Sequence, residues 1–187
     1  MIHPRRAIGL LMATPLALFA YNPMHALASS ADGSPQTCDG HAVTMVVTAS
    51  SPHVVHGTSR RDVILIKAAH HVVDAGRGND IVCGSSGQDT VNGGPGDDTI
   101  IGKGGNDVLN GDAGNDDIQG DQGNDTITGG TGNDDLQGDA GNDDIQGDQG
   151  SDTISGGSGD NQDSQGDGND DSQGDNNNQG DSSPIIP

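Results

Sequence analysis

The chain has no tryptophan, one tyrosine and one phenylalanine, and both aromatics, Phe19 and Tyr21, fall within its first 21 residues. A mixed globular core is not expected, because nothing large is left to fill it. Positive charge is nearly as scarce: 7 Lys and Arg stand against 28 acidic side chains, a formal net charge of -21. Phosphate binding needs a basic surface, so nucleic acid is not an expected partner; the acidity points toward cations. Cysteine is limited to Cys38 and Cys83. After residue 28 no stretch is apolar enough to span a bilayer as a helix, which takes about 20 residues. Low hydrophobicity with high charge would by itself suggest disorder, since too little burial offsets chain entropy.

What is present is order. From Ala75 to Ser155 the sequence repeats every nine residues as G-[GD]-x-G-[ND]-D-x-[ILV]-x, as in Gly129–Gln137 (GGTGNDDLQ) and Gly138–Gln146 (GDAGNDDIQ). The eighth position is apolar at Val46, Val55, Ile64, Val73, Val82, Val91, Ile100, Leu109, Ile118, Ile127, Leu136, Ile145 and Ile154, and the column stops at Asp163. In a chain only 29% hydrophobic, chance does not produce that run. The fourth position is Gly at 78, 87, 96, 105, 114, 123, 132, 141 and 150. Nine aspartates hold the sixth: Asp80, Asp89, Asp98, Asp107, Asp116, Asp125, Asp134, Asp143 and Asp152. A fixed internal period outranks local propensity in setting architecture, and this one is the nonapeptide of a calcium-binding parallel β-roll.

The flanks divide the chain. Residues 1–28 read as a secretory signal peptide: Arg5 and Arg6, then the apolar Ala7–Ala20, then a small-x-small site at Ala26-Leu27-Ala28. The mature chain would begin at Ser29 and be secreted, extracellular or attached to a cell surface; an uncleaved anchor is the other reading. Residues 29–74 keep the apolar beat but put Arg60 and Ala69 where glycine is due. They are expected to form metal-free coils that cap the stack and cover a sheet edge. Residues 75–155 are the regular roll. Beyond it Asp117-Ile118-Gln119-Gly120-Asp121 returns as Asp171-Ser172-Gln173-Gly174-Asp175, the apolar residue lost. The acidic tail, 156–187, is therefore expected to be disordered. An even cysteine count in an exported chain favours a Cys38–Cys83 disulfide over free thiols or a metal pair.

The spacing explains cation binding. Six residues of each repeat turn and three form a short strand, whose middle side chain faces inward because strand side chains alternate. Two repeats make one coil, so Asp80, Asp98, Asp116, Asp134 and Asp152 line one edge and Asp89, Asp107, Asp125 and Asp143 the other. Carboxylates a strand spacing apart repel unless a cation lies between them. Calcium takes six to eight oxygens, whereas magnesium demands tight octahedral geometry. Adjacent same-edge pairs give four candidate sites on the first edge and three on the second.

On these motifs, Ala75–Ser155 resembles the RTX, or haemolysin-type, calcium-binding repeats of bacterial exoproteins, and Val46–Asp74 resembles them weakly. The resemblance implies a right-handed parallel β-roll, with the nine sixth-position aspartates and turn carbonyls as ligands for several Ca2+ ions. Many members carry a protease, lipase or pore-forming domain and a C-terminal export signal. Here the signal is N-terminal and no such domain is evident, so a stand-alone form is expected and no toxin or enzyme activity is carried over. Aspartate at the second position (Asp112, Asp121, Asp139, Asp148) is a mild departure.

Other features carry weaker chemistry. His53 and His71 lie eighteen residues apart on the edge of Asp89 and could hold zinc or a similar metal, but turn glycines and a full ligand set are missing, so a metal-free coil is the expectation. Gly84-Ser85-Ser86-Gly87 lacks the G-x-S-x-G spacing of a nucleophile turn, and no enzyme is expected. Asp117, Asp135 and Asp144, at the seventh position, should face solvent. The expected function is a secreted calcium-binding repeat protein that folds on binding. The alternatives are an adhesive or ice-binding-like spacer, which would want a regular Thr ladder, and a secretion module of an exoenzyme or toxin.

Overall fold

The computed structural model describes residues 36–164 and 171–173. The expected signal peptide and most of the 156–187 tail lie outside the described residues. Among the described residues no helix is long and apolar enough to cross a membrane, and every regular element is a strand.

A short hairpin comes first, β1 (Thr37–Cys38) against β2 (His41–Ala42). All later pairing is parallel. One sheet stacks β3 (Met45–Val47), β5 (Val63–Ile66), β7 (Ile81–Cys83), β9 (Thr99–Ile101), β11 (Asp117–Gln119), β13 (Asp135–Gln137), β15 (Thr153–Ser155) and β17 (Asp171–Gln173). The facing sheet stacks β4 (Val54–Thr58), β6 (Val72–Gly76), β8 (Thr90–Pro95), β10 (Val108–Ala113), β12 (Thr126–Thr131), β14 (Asp144–Gln149) and β16 (Gln162–Ser164). Consecutive strands alternate between sheets, so strand, turn, strand and turn close one coil. Leu109 sits opposite Val91 and Ile127, and Ile118 opposite Ile100 and Leu136, each a step of two repeats. This is a parallel β-roll, a solenoid with two nonapeptides per coil.

The interior is a ladder of two facing columns, one from each sheet. Ile64 and every eighth-position residue from Val73 to Ile154 is buried and joins a single cluster. Burying one such aliphatic side chain contributes roughly 1.5–3 kcal/mol, and stacking identical shapes lets each rung fill the next. The apolar column ends at Asp163, which stands opposite Ile145. Pairing itself runs past Ser155, since β16 adds to β14 and β17 to β15.

Val46 departs from the expected column. The coil between β3 and β5 holds one residue more than the others, pairing Met45 with Ile64, Val46 with Leu65 and Val47 with Ile66. Thr44 fills the extra step, its hydroxyl accepting the Val63 N–H at 2.9 Å and donating to the Val63 carbonyl at 3.2 Å. A one-residue shift sends every side chain to the opposite face. Met45 and Val47 therefore point inward, and Val46 points out.

The outward Val46 is not exposed to water alone. With Leu65 and Ile101 it packs on a second apolar cluster of Cys38, Val43, Val63, Ile81 and Cys83. The hairpin lies over β5 and β7, and a Cys38–Cys83 disulfide pins it there. The hairpin thus covers a face of the roll. Cross-linking across 45 residues contributes about 4 kcal/mol in the chain-entropy account. A Cys38→Ser/Cys83→Ser variant should lower the unfolding free energy by about that much in excess calcium, read from denaturant curves; an unchanged midpoint would show that the hairpin holds without its bond.

Candidate metal centre

From β7 to β15 each turn between the sheets ends in a sixth-position aspartate, which places these residues in two rows along opposite edges. Asp80, Asp98, Asp116, Asp134 and Asp152 precede β7, β9, β11, β13 and β15; Asp89, Asp107, Asp125 and Asp143 precede β8, β10, β12 and β14. All nine are buried, at 1–2% exposure. Carboxylates that deep need partners. One oxygen has a partner in the backbone of the coil before. Asp98 Oδ1 accepts the Asp80 N–H at 2.7 Å, Asp116 Oδ1 that of Asp98 at 2.8 Å, and Asp134 Oδ1 that of Asp116 at 2.9 Å. Asp107, Asp125 and Asp143 do the same on the second edge. The side chains stitch turn to turn.

The second oxygen differs. Oδ2 of Asp80, Asp98, Asp107, Asp116, Asp125, Asp134 and Asp143 is buried and accepts no hydrogen bond. From Asp98 to Asp143 it lies against the first-position glycine of its own repeat; the Asp80 repeat has Ala75 there. A Cβ added at Gly102 would meet Asp107 Oδ2 at 2.6 Å and the Gly120 carbonyl oxygen at 2.8 Å. At Gly93, Gly111, Gly120, Gly129 and Gly138 the same pair, the carboxylate five residues on and the carbonyl eighteen on, would collide with a side chain. Glycine is required there because the space is lined by oxygen. The fourth-position glycines have another reason: Gly114 has φ 144°, and a Cβ would fall on the Gly96 carbonyl.

Oxygen atoms alone, carboxylate and carbonyl mixed, are the donor set of a hard cation with loose geometry, which is calcium before magnesium or zinc. Among the described residues no three His, Cys, Asp or Glu side chains gather as a metal-binding set, so carbonyls must supply the balance of the ligands. The residues present therefore fit calcium, with the sixth-position carboxylates and the glycine carbonyls as the groups that would hold it.

Electrostatics agrees. Desolvation, opposed by the backbone hydrogen bond and helped by the neighbouring carboxylates, raises Asp98 to about 7. The same causes raise Asp107 to about 7 and Asp80, Asp116 and Asp125 to about 6; Asp134 and Asp143 also shift upward. A buried polar atom without a partner costs about 1–3 kcal/mol, and more when charged. Seven such oxygens carry a cost comparable to the whole stability of a domain, about 5–15 kcal/mol.

Several residues gain roles that spacing alone did not suggest. Asp62 is a further sixth-position acid, buried, whose N–H donates to Asp80 Oδ1 at 2.7 Å. Stepping back eighteen from Asp80 finds it, but Arg60 in place of glycine hid the repeat. Position five forms a second ladder: Asn106, Asn115 and Asn124 Oδ1 accept the N–H of Asn124, Asn133 and Asn142 at 2.8–3.0 Å. Its bonds run forward along the chain where the aspartate bonds run back. The second-position acids Asp112, Asp121 and Asp148, at φ 70–73°, accept from the ninth-position amides of Asn110, Gln119 and Gln146 instead of facing the seams. Asp117, Asp135 and Asp144 are exposed as expected.

Asp89 is the exception among the nine. Its Oδ2 is taken by Ser85, which donates its N–H at 2.9 Å and its hydroxyl at 2.8 Å. Asp62 is held in the same way by Thr58, at 2.7 and 2.8 Å. A hydroxyl residue at the second position thus holds one carboxylate oxygen of Asp62 and of Asp89 from within its own turn. Ser85 is a turn anchor.

No curated protein and no solved structure matched the chain. A family match did cover residues 72–91, 92–127 and 128–163, and its description is the RTX calcium-binding nonapeptide repeat, four copies. The match begins in the last coil of the degenerate prelude and ends one residue before β16 does. Across residues 72–163 the chain belongs to the RTX calcium-binding repeats.

Proposed function

We propose that this calcium-binding repeat protein is secreted and that its roll closes only as several calcium ions are taken up between successive turns. One observation carries the reading: in two rows of buried carboxylates, Asp98, Asp107, Asp116, Asp125, Asp134 and Asp143 each leave an oxygen without a hydrogen bond beside a converging carbonyl. Without cations the rows repel. At a strand spacing of about 4.8 Å and an effective dielectric near 20, a charged pair costs about 3–4 kcal/mol. Bound calcium supplies the positive charge that lets facing carboxylates stay ionised. The chain's part is to present the oxygens: the aspartates brace the turn before, the glycines clear the space, and the aliphatic ladder closes between the rows. Binding free energy then appears as folding free energy.

In this reading residues 1–28 direct export, residues 29–74 cap the roll, residues 75–155 hold the ions and the strands beyond Ser155 close the far end. A chain kept open where calcium is low and closed where it is abundant suits passage across a membrane. The reading includes no catalytic role, since the repeats are a calcium-binding structural module. An adhesive or ice-binding spacer gains no support from the outward rows. On one sheet they run Val63, Ile81, Thr99, Asp117, Asp135, Thr153, and on the other Val54, Val72, Thr90, Val108, Thr126, Asp144, with no continuous threonine ladder.

Calorimetric titration with calcium tests the proposal. More than one ion per chain should bind, with dissociation constants of roughly 10⁻⁴ to 10⁻³ M as in other extracellular modules. A chain that takes up no calcium while keeping its strand signal would refute it.

A further inference from the structure

At the head of the second edge the row changes chemistry. The register that stacks Asp89 below Asp107 places His71 one coil above Asp89 and His53 one coil above that: Thr90 N–H donates to the His71 carbonyl, and Val72 N–H to that of His53. The ladder bond is missing at this junction. Elsewhere Oδ1 takes the N–H of the residue eighteen earlier; Asp89 Oδ1 is buried and accepts nothing, while Oδ2 is held by Ser85. Nor does this carboxylate share the glycine cradle of the others, since the atoms nearest a Cβ at Gly84 would be the backbone carbonyls of Ile101 and Gly102, where its neighbours have the aspartate.

The unpartnered oxygen belongs to a residue that borders a cavity of about 190 Å³, together with His53, His70 and His71. The His53 and His71 rings are 6.5 Å apart between centroids. His71 is buried, and its Nδ1 donates to the Ala68 carbonyl at 2.9 Å. That bond fixes the tautomer and leaves Nε2 with its lone pair, the second-shell arrangement of a metal-bound imidazole.

We infer that His53, His71 and Asp89 form a site for a late first-row divalent ion of the zinc class, separate in chemistry from the oxygen-only seams below it. Two imidazole nitrogens and one carboxylate select zinc, cobalt, nickel or copper over calcium. The three side chains do not stand as a finished ligand set, so the ion draws them together by side-chain rotation, with exposed His70 available to complete the set. Occupancy would join the last degenerate coils to the first regular one.

The test uses the full chain in excess calcium, which fills the oxygen sites, with Co²⁺ and then Zn²⁺ as probes. One equivalent of Co²⁺ should give a visible d–d absorption band that Zn²⁺ abolishes. Zn²⁺ should move the imidazole ¹⁵N signals of His53 and His71 and leave those of His41 and His56 unmoved. A His53→Gln/His71→Gln variant should bind Zn²⁺ at least tenfold more weakly with the calcium-dependent strand signal retained, and Asp89→Asn should also weaken zinc binding. If either variant fails to fold, the wild-type imidazole signals decide. Zinc that shifts His41 or His56 in place of His53 and His71, a cobalt band that survives in the double variant, or no zinc uptake in excess calcium would each overturn the inference.

Discussion

Held in a chelator, the calcium-free chain will gain strand structure as acid is added, and lose it on neutralisation. Most proteins do the reverse, because their carboxylates are stabilised as anions in the fold. Here the folded-state values of Asp98 and Asp107 are raised to about 7, and those of Asp80, Asp116 and Asp125 to about 6, from an ordinary 3.8. The folded roll therefore binds more protons than the open chain between about pH 4 and 7. Unfolding free energy falls as pH rises through that window: the contribution is fully present below the unfolded value and gone above the folded one. A proton on each carboxylate also silences its neighbour, so the titrations reinforce one another along a row. Far-UV circular dichroism in EGTA should show strands near pH 4 and an open chain near pH 8. In calcium the dependence inverts, because protons and calcium compete for the same oxygens. Steady loss of strand signal on acidifying the chelated protein would contradict the assignment of those carboxylates.

Replacing Gly111 by alanine will raise the calcium concentration that the chain needs to fold. The methyl would fall on the Asp116 carboxylate and lie 2.6 Å from the Gly129 carbonyl oxygen. The carboxylate is braced by the Asp98 N–H at 2.8 Å, and the carbonyl belongs to the backbone of the next coil, so neither yields cheaply. The calcium concentration for half-folding should rise at least tenfold, about 1.4 kcal/mol or more. Gly104→Ala is the internal control. It sits two residues further along the same kind of turn, and a Cβ there meets nothing nearer than 3.7 Å, so its midpoint should stay within twofold of the parent. Equal effects of the two substitutions would mean that the turn, and not the oxygen cradle, sets the demand for glycine.

The contrast between Gly111 and Gly104 shows how far the sequence reached. Period and phase sufficed to stack Ile118 on Ile100 and to divide the aspartates between two edges, because a strict repeat makes spacing in sequence equivalent to position in space. They could not reveal a coil with one residue added, and so the period places Val46 inward where the extra residue, Thr44, turns it outward. The role of position five was invisible because asparagine there looked like turn composition; only stacking shows its amide oxygen meeting the N–H eighteen residues on. Asp89 carried the same letter in the same place as its neighbours. What separates it is Ser85, whose hydroxyl takes one carboxylate oxygen, and a histidine above it in place of an aspartate. Substitutions of this kind alter a site without altering its motif.

Small-angle scattering of one sample, first in millimolar calcium and then in excess EGTA at neutral pH, addresses the central claim most directly. With calcium the radius of gyration should lie near that of a compact chain of this length, about 16–20 Å, and after chelation it should expand toward about 40 Å or beyond. A radius that stays compact after chelation would show that the roll holds without the ions, and that its buried carboxylates are satisfied by some other means.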